Sequence, residues 1–138
     1  MNLLQYYDLP ANVFEDKIKL SVLKVGIKGK VVKQILQIHP EQQLAIAALM
    51  DIAEAELIKM DDSQSLSISK SEAVLDFIWL MVKAFDIFDC IEELNSWFMS
   101  PQIVLGNETP NALLTSFTGR KLIAQELTRL KTFSLYNR

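Results

Sequence analysis

The chain is short of the residues on which most catalytic and metal-binding sites are built. Among 138 residues there is one cysteine, Cys90, and one histidine, His39. A single cysteine excludes an intramolecular disulfide and any multi-cysteine zinc or iron–sulfur cage, and a single histidine excludes a multi-histidine metal site. With four glycines and four prolines the chain cannot be collagen-like or a Pro/Gly-rich linker. There is no G-x-G-x-x-G, G-x-x-x-x-G-K-[ST] or G-x-S-x-G motif. Gly26 and Gly29 are too few to cradle a phosphate. The longest strongly apolar stretch, from Ala73 to Phe85, contains Asp76 and Lys83 and falls far short of the ~20 residues that span a bilayer. The start, MNLLQYYDLP, has neither the basic nor the apolar region of a signal peptide. A soluble, reduced, cytoplasmic protein with no membrane partner is therefore expected.

What is present is ordinary globular composition, half apolar and 22 % charged. The formal net charge of −3 hides three blocks: residues 1–40 sum to +3, residues 41–108 to −10 and residues 109–138 to +4. Only the first segment, with Lys17, Lys19, Lys24, Lys28, Lys30 and Lys33, offers a basic face to nucleic acid, and the acidic middle would repel a phosphate backbone. Solvated helix faces of differing sign account for the same pattern.

The periodicities are helical and nothing alternates with period two, so an all-α fold is expected. The first helix spans about Asn12 to Lys24, with Asn12 and Glu15 as a capping pair and Gly26 as terminator. Lys28 to Gln37 form the second, with Val31, Val32, Ile35 and Leu36 inward. Pro40 to Met50 form the third, with Leu44, Ala47 and Ala48 on its inner face and Ile46 and Leu49 widening it. A fourth, Ala53 to Met60, follows either through a tight turn at Met50-Asp51-Ile52 or as a continuation of one rod. The serine-rich stretch Asp61 to Ser69 divides residues 1–62 from residues 69–138. Beyond it, Ser69 with Glu72 reads as the capping box of a long helix that buries Ala73, Phe77, Leu80, Ala84 and Phe88. Asp89 with Glu92 repeats that arrangement before a helix ending at Pro101. Thr109 and Pro110 open a short helix to Leu114, and Gly119 to Leu130 form the last, with Leu122, Ile123, Leu127 and Leu130 inward.

Carboxylate pairs are poor candidates for acid–base chemistry. Asp61 and Asp62 lie in a polar loop where desolvation is absent, and Asp86 with Asp89 lack the further oxygen ligands a cation needs. Cys90 lies at a helix start, where amide donors can activate a thiol, but has no histidine near it in sequence. Trp79 and Trp97 suit a core or an interface. Binding, with no cofactor and no catalysis, is the expected class of function.

From Asp89 onward the chain reads D-x7-W-F-x2-P-x3-L-G-N-E-T-P-x2-L-L-T-x3-G-x9-R-L. This resembles the toxin-binding domain of the Xre/MbcA/ParS-like antitoxins. Asp89 stands at the family's aspartate, Trp97-Phe98 at its tryptophan–leucine pair, and Pro101-Gln102 at its proline–asparagine. Leu105-Gly106 stand at its turn, Thr109-Pro110 at its threonine–proline, Gly119 at the glycine opening the last helix, and Arg129-Leu130 at the arginine–isoleucine. Val25-Gly26-Ile27 and Ala48 to Ile52 extend the likeness more weakly, so that residues 22–133, about 80 % of the chain, can be laid along the pattern. Asn107 replaces a second glycine, and Ala53-Glu54-Ala55-Glu56-Leu57 replaces a serine-glutamate-arginine-threonine-leucine segment. The replacement removes an arginine and adds acids that oppose phosphate.

The resemblance implies a degenerate helix-turn-helix-like region, residues 1–62, followed by a compact helical toxin-binding domain, residues 69–138. It implies a non-enzymatic antitoxin that binds a RES-domain, NAD-consuming toxin and occludes its active site, as a homodimer and in hetero-oligomers with the toxin. Trp97, Leu105, Gly106, Pro110, Arg120, Arg129 and Arg138 are the residues it points to for the toxin. Binding of operator DNA stays open. The alternative is a transcriptional regulator that binds DNA through Lys24, Lys28, Lys30 and Lys33 and neutralises nothing.

Overall fold

A computed structural model describes residues 2–136. A 3-10 turn, Leu3–Tyr6, precedes α1 (Asp16–Val25) and α2 (Gly29–Ile38). A second 3-10 turn, Pro40–Gln42, runs into α3 (Gln43–Leu49), and α4 (Glu54–Ile58) follows. Then come α5 (Ile68–Phe88), α6 (Ile91–Phe98), a third 3-10 turn (Ile103–Leu105), α7 (Pro110–Leu113) and α8 (Phe117–Tyr136). Among the described residues the fold is all-α, with eight α-helices and no strand. No described helix is long and apolar enough to cross a membrane.

The axis of the molecule is α5. Val74, Leu75, Phe77, Ile78, Leu80, Met81 and Ala84 are all buried, more than one helix face can supply, because neighbours cover α5 on several sides. It packs against the first 3-10 turn, α1, α3, α6 and α8. One hydrophobic cluster consequently runs from Leu3 and Val13 to Ile123 and Leu127. Two ion pairs fix α8 along α5: Arg120 Nε lies 2.6 Å from Asp76 Oδ2, and Lys131 Nζ lies 2.6 Å from Asp86 Oδ2. Because the pairs follow the same order on both helices, α8 runs alongside α5 in the same direction, and α6 is the return stroke between them.

Two joints depend on glycine. Gly26 adopts φ +94°, and a Cβ there would overlap the Leu66 carbonyl oxygen. The chain can thus turn while the Leu66 amide donates to the Ile27 carbonyl (2.8 Å) and the Ile27 amide donates to Ser71 Oγ (2.9 Å). At Gly119 a Cβ would overlap the Leu113 carbonyl oxygen, so glycine is what lets α7 sit against the first turn of α8.

Several sequence expectations shift in register. The first helix starts at Asp16 rather than Asn12. Asn12 Nδ2 does donate to Glu15 Oε2 (3.3 Å), but the two residues form a turn before the helix rather than its cap. Ser67, not Ser69, caps α5 by accepting from the Lys70 amide (3.2 Å), which places Glu72 beyond the capping box. Asp89 is not an N-cap; it closes α5 in the left-handed conformation at φ +59°. The inner face of α3 is Ala45, Ile46, Ala47 and Leu49, while Leu44 is 69 % exposed and Ala48 is exposed too. The cause is the 3-10 turn at Pro40–Gln42, whose tighter winding rotates the following helix and turns Gln42 inward in place of Leu44. The last helix extends beyond both expected ends, and Leu122 faces outward. By contrast, Thr109 caps α7 as expected, accepting from the Ala112 amide (3.1 Å), with Pro110 in the first turn.

A buried polar chain joins the two ends of the sequence. His39 Nδ1 lies 3.1 Å from Asn95 Oδ1 on α6, and His39 Nε2 lies 2.9 Å from the Tyr7 hydroxyl. The amide oxygen only accepts, so Nδ1 carries the proton and Nε2 accepts from Tyr7. Phe77 abuts the imidazole edge-to-face at 5.7 Å. Burial holds the His39 imidazole below its ordinary basicity, partly offset by the Asn95 hydrogen bond and the charge of Glu41, and burial pushes the Tyr7 phenol up.

Candidate functional site

Three of the six lysines of the first segment meet internal partners. Lys28 Nζ donates to Ser65 Oγ (2.5 Å), Lys30 lies 3.7 Å from Asp8, and Lys33 lies 2.7 Å from Asp62. The hydrogen bond from Lys33 holds the Asp62 carboxyl below its usual range. Behind these contacts the loop after α4 crosses the start of α2, where the Gly29 amide donates to the Gln64 carbonyl (2.8 Å) and the Lys30 amide to the Asp62 carbonyl (3.1 Å). Lys24 alone of the four sequence candidates has no charged or hydrogen-bonding partner among the described residues.

A tight turn, not a rod, separates α3 from α4. Asp51 takes φ +54° and the Ile52 amide donates to the Ala47 carbonyl (3.0 Å). In the place of a recognition helix, α4 has five residues with Glu54 and Glu56 in its first turn, and Glu54 accepts from Gln43 Nε2 (3.0 Å). Its reach is about 7.5 Å, and it presents carboxylates where major-groove readers present Arg, Lys, Asn or Gln.

The C-terminal candidates divide into framework and surface. Trp97 is half-buried against Phe88 (5.7 Å) and Phe98 (5.0 Å). Pro110 is buried at the start of α7 and Leu105 is half-buried. Gly106 is exposed at φ +71°, with nothing near a Cβ; its glycine suits the backbone conformation, which Asn107 repeats at φ +63°. Arg120 is only 12 % exposed; besides Asp76 it donates through a guanidinium nitrogen to the Leu114 carbonyl (2.8 Å), so it clamps α5, α7 and α8 together. Arg129 is exposed and forks onto Glu126 at 2.5–3.1 Å, and this buried carboxylate raises its basicity. Arg138 lies outside the described residues.

Other sequence candidates are also placed. Asp86 is paired with Lys131, whose hydrogen bond lowers the carboxyl, while Cys90 is half-buried and donates from Sγ to Glu92 Oε2 (2.9 Å). No cluster of three or more His, Cys, Asp or Glu with metal-binding geometry occurs among the described residues. Sequence reasoning missed Ile103 and Val104, which stand out of the loop between α6 and α7, 86 % and 63 % exposed. The available signal was the near absence of charge around them.

Residues 83–132 match the model of a family described as the antitoxin Xre/MbcA/ParS C-terminal toxin-binding domain. The match begins in the last turns of α5 and runs through α6 and α7 to the later turns of α8. It therefore takes in the Trp97 contacts, the turn at Gly106, the α7 cap and Arg120, but not Asp76, the carboxylate that Arg120 holds. No curated protein matches the chain.

Proposed function

We propose that this chain is the antitoxin of a toxin–antitoxin pair, binding a RES-domain toxin that consumes NAD and occluding its active site. The observation that carries the reading is the match of residues 83–132 to a toxin-binding domain. The fixed spacings from Asp89 to Leu130 support the same assignment. Neutralisation by occlusion needs surface shape and no catalytic group of its own. The internal pairing of Lys28, Lys30 and Lys33, together with the acidic α4, favours this reading over a regulator that works through phosphate contacts.

The test is induction of the neighbouring gene's product with and without this chain, following growth, cellular NAD and co-purification through a tag on one partner. Rescued growth, preserved NAD and co-elution are expected. A neighbour that is toxic and soluble alone, yet neither bound nor neutralised, contradicts the pairing.

A further inference from the structure

Between Leu94 and Gly119 there is one charged residue, Glu108, in a chain that is 22 % charged overall. Within it Phe98, Pro110 and Leu114 are buried, while the adjacent Ile103 and Val104 stand exposed. Several of the other exposed large apolar residues stand singly beside charges, Leu20 next to Lys19, Val25 next to Lys24 and Ile58 next to Lys59, and such isolated exposure is ordinary. Loss of charge together with clustered apolar exposure is the composition of the centre of a protein–protein interface.

The loop that presents Ile103 and Val104 is held in one shape. The Gln102 amide donates to the Glu108 carbonyl (3.0 Å), and the Asn107 and Leu105 amides donate to the Gln102 carbonyl (2.9 and 3.0 Å). Gln102 Nε2 donates to the Ser100 carbonyl (3.0 Å). Fixing the loop beforehand leaves little backbone entropy to lose on docking.

We infer that Ile103 and Val104 form the apolar anchor that enters a recess on the toxin. This rests on the antitoxin reading above and names the part of the domain that makes the contact. The anchor lies inside the segment matched to a toxin-binding domain. A second copy is the other occupant that the test must separate, since an apolar groove that this chain itself offers is lined by Leu9, Ile18, Val22, Val25 and Ile27.

The experiment measures the affinity of the full chain for the purified RES-domain product of the neighbouring gene by calorimetry, with light scattering on each protein alone. Ile103→Asp with Val104→Asp is expected to weaken binding at least about 100-fold, as loss of central anchors does. Ile103→Ser with Val104→Ser serves as a second pair that adds no charge, and is expected to weaken binding about 10-fold or more. Both pairs sit on exposed positions and are expected to keep the wild-type melting temperature. Toxin binding by both double variants within about threefold of wild type overturns the inference. A loss of self-association with toxin binding intact also overturns it, by assigning the anchor to a second copy. Failure of the wild-type chain to bind the toxin overturns the antitoxin reading itself, and the inference with it.

Discussion

The lysine-rich start and the C-terminal stretch from Leu94 to Gly119 are opposites in composition, and the structure treats them in opposite ways. In the first, charge is dense but half of it is turned inward: three of the six lysines hold Ser65, Asp8 and Asp62. In the second, charge is nearly absent and apolar side chains stand exposed on a fixed loop. A basic run in a sequence is therefore weak evidence for a phosphate partner until the acids that fold back onto it are known. A charge-poor run that ends up exposed is the stronger pointer to a protein partner.

The largest effects are expected where the two regions share structure. Phe77→Ala removes a fully buried ring that lies between α5's neighbours and touches His39, and should cost about 3–5 kcal/mol in urea titrations. Since one cluster spans both regions, circular dichroism and tryptophan fluorescence should report a single coincident transition; two separate transitions would break the shared-core account.

Next comes the joint at His39. Asn95→Ala should cost about 1–3 kcal/mol by leaving the buried Nδ1–H without its acceptor. Burial keeps the folded imidazole neutral below its ordinary value of 6.5, whereas the unfolded chain takes up a proton near that pH. Stability that depends on His39 is thus complete above pH 6.5 and lost progressively as the pH falls towards the lowered folded value. Urea midpoints measured across pH 7.5 to 5 should show this fall, and His39→Gln should flatten it.

A smaller loss is expected at the clamp. Arg120→Met should destabilise by about 1–2 kcal/mol, because Asp76 keeps partial access to water when its partner is removed. Smallest of all is the lysine segment. Replacing Lys24, Lys28, Lys30 and Lys33 together by alanine should leave toxin affinity within about threefold, since exposed pairs contribute little. A large loss there would erase the contrast between the regions and revive the nucleic-acid alternative.

How much of this was legible depended on the range of the interaction. Local rules located Gly26 as a terminator and Thr109 and Pro110 as a helix start, because each acts within a few residues, whereas Gly119, expected to open the last helix, lies inside it and serves the close approach of Leu113. Phase was lost where winding changed: the 3-10 turn at Pro40–Gln42 rotates α3 and reverses the roles of Gln42 and Leu44. Partners distant in sequence were illegible. Nothing near Lys28 announces Ser65, nothing near Arg120 announces Asp76, and His39 gives no local sign of Tyr7 or Asn95. For the candidate site, the segment from Asp89 to Leu130 lies within the match to a toxin-binding domain, whereas the α5 carboxylate that pairs with Arg120 lies outside it.

The central claim is that this chain meets its partner as a protein, through apolar surface rather than through charge. It is tested most directly by measuring the dissociation constant for the RES-domain toxin across a salt series from 50 to 500 mM. An affinity that changes less than about threefold is the result predicted for a contact with an uncharged centre. A log–log slope of several units, or no binding at any salt concentration, would contradict the account.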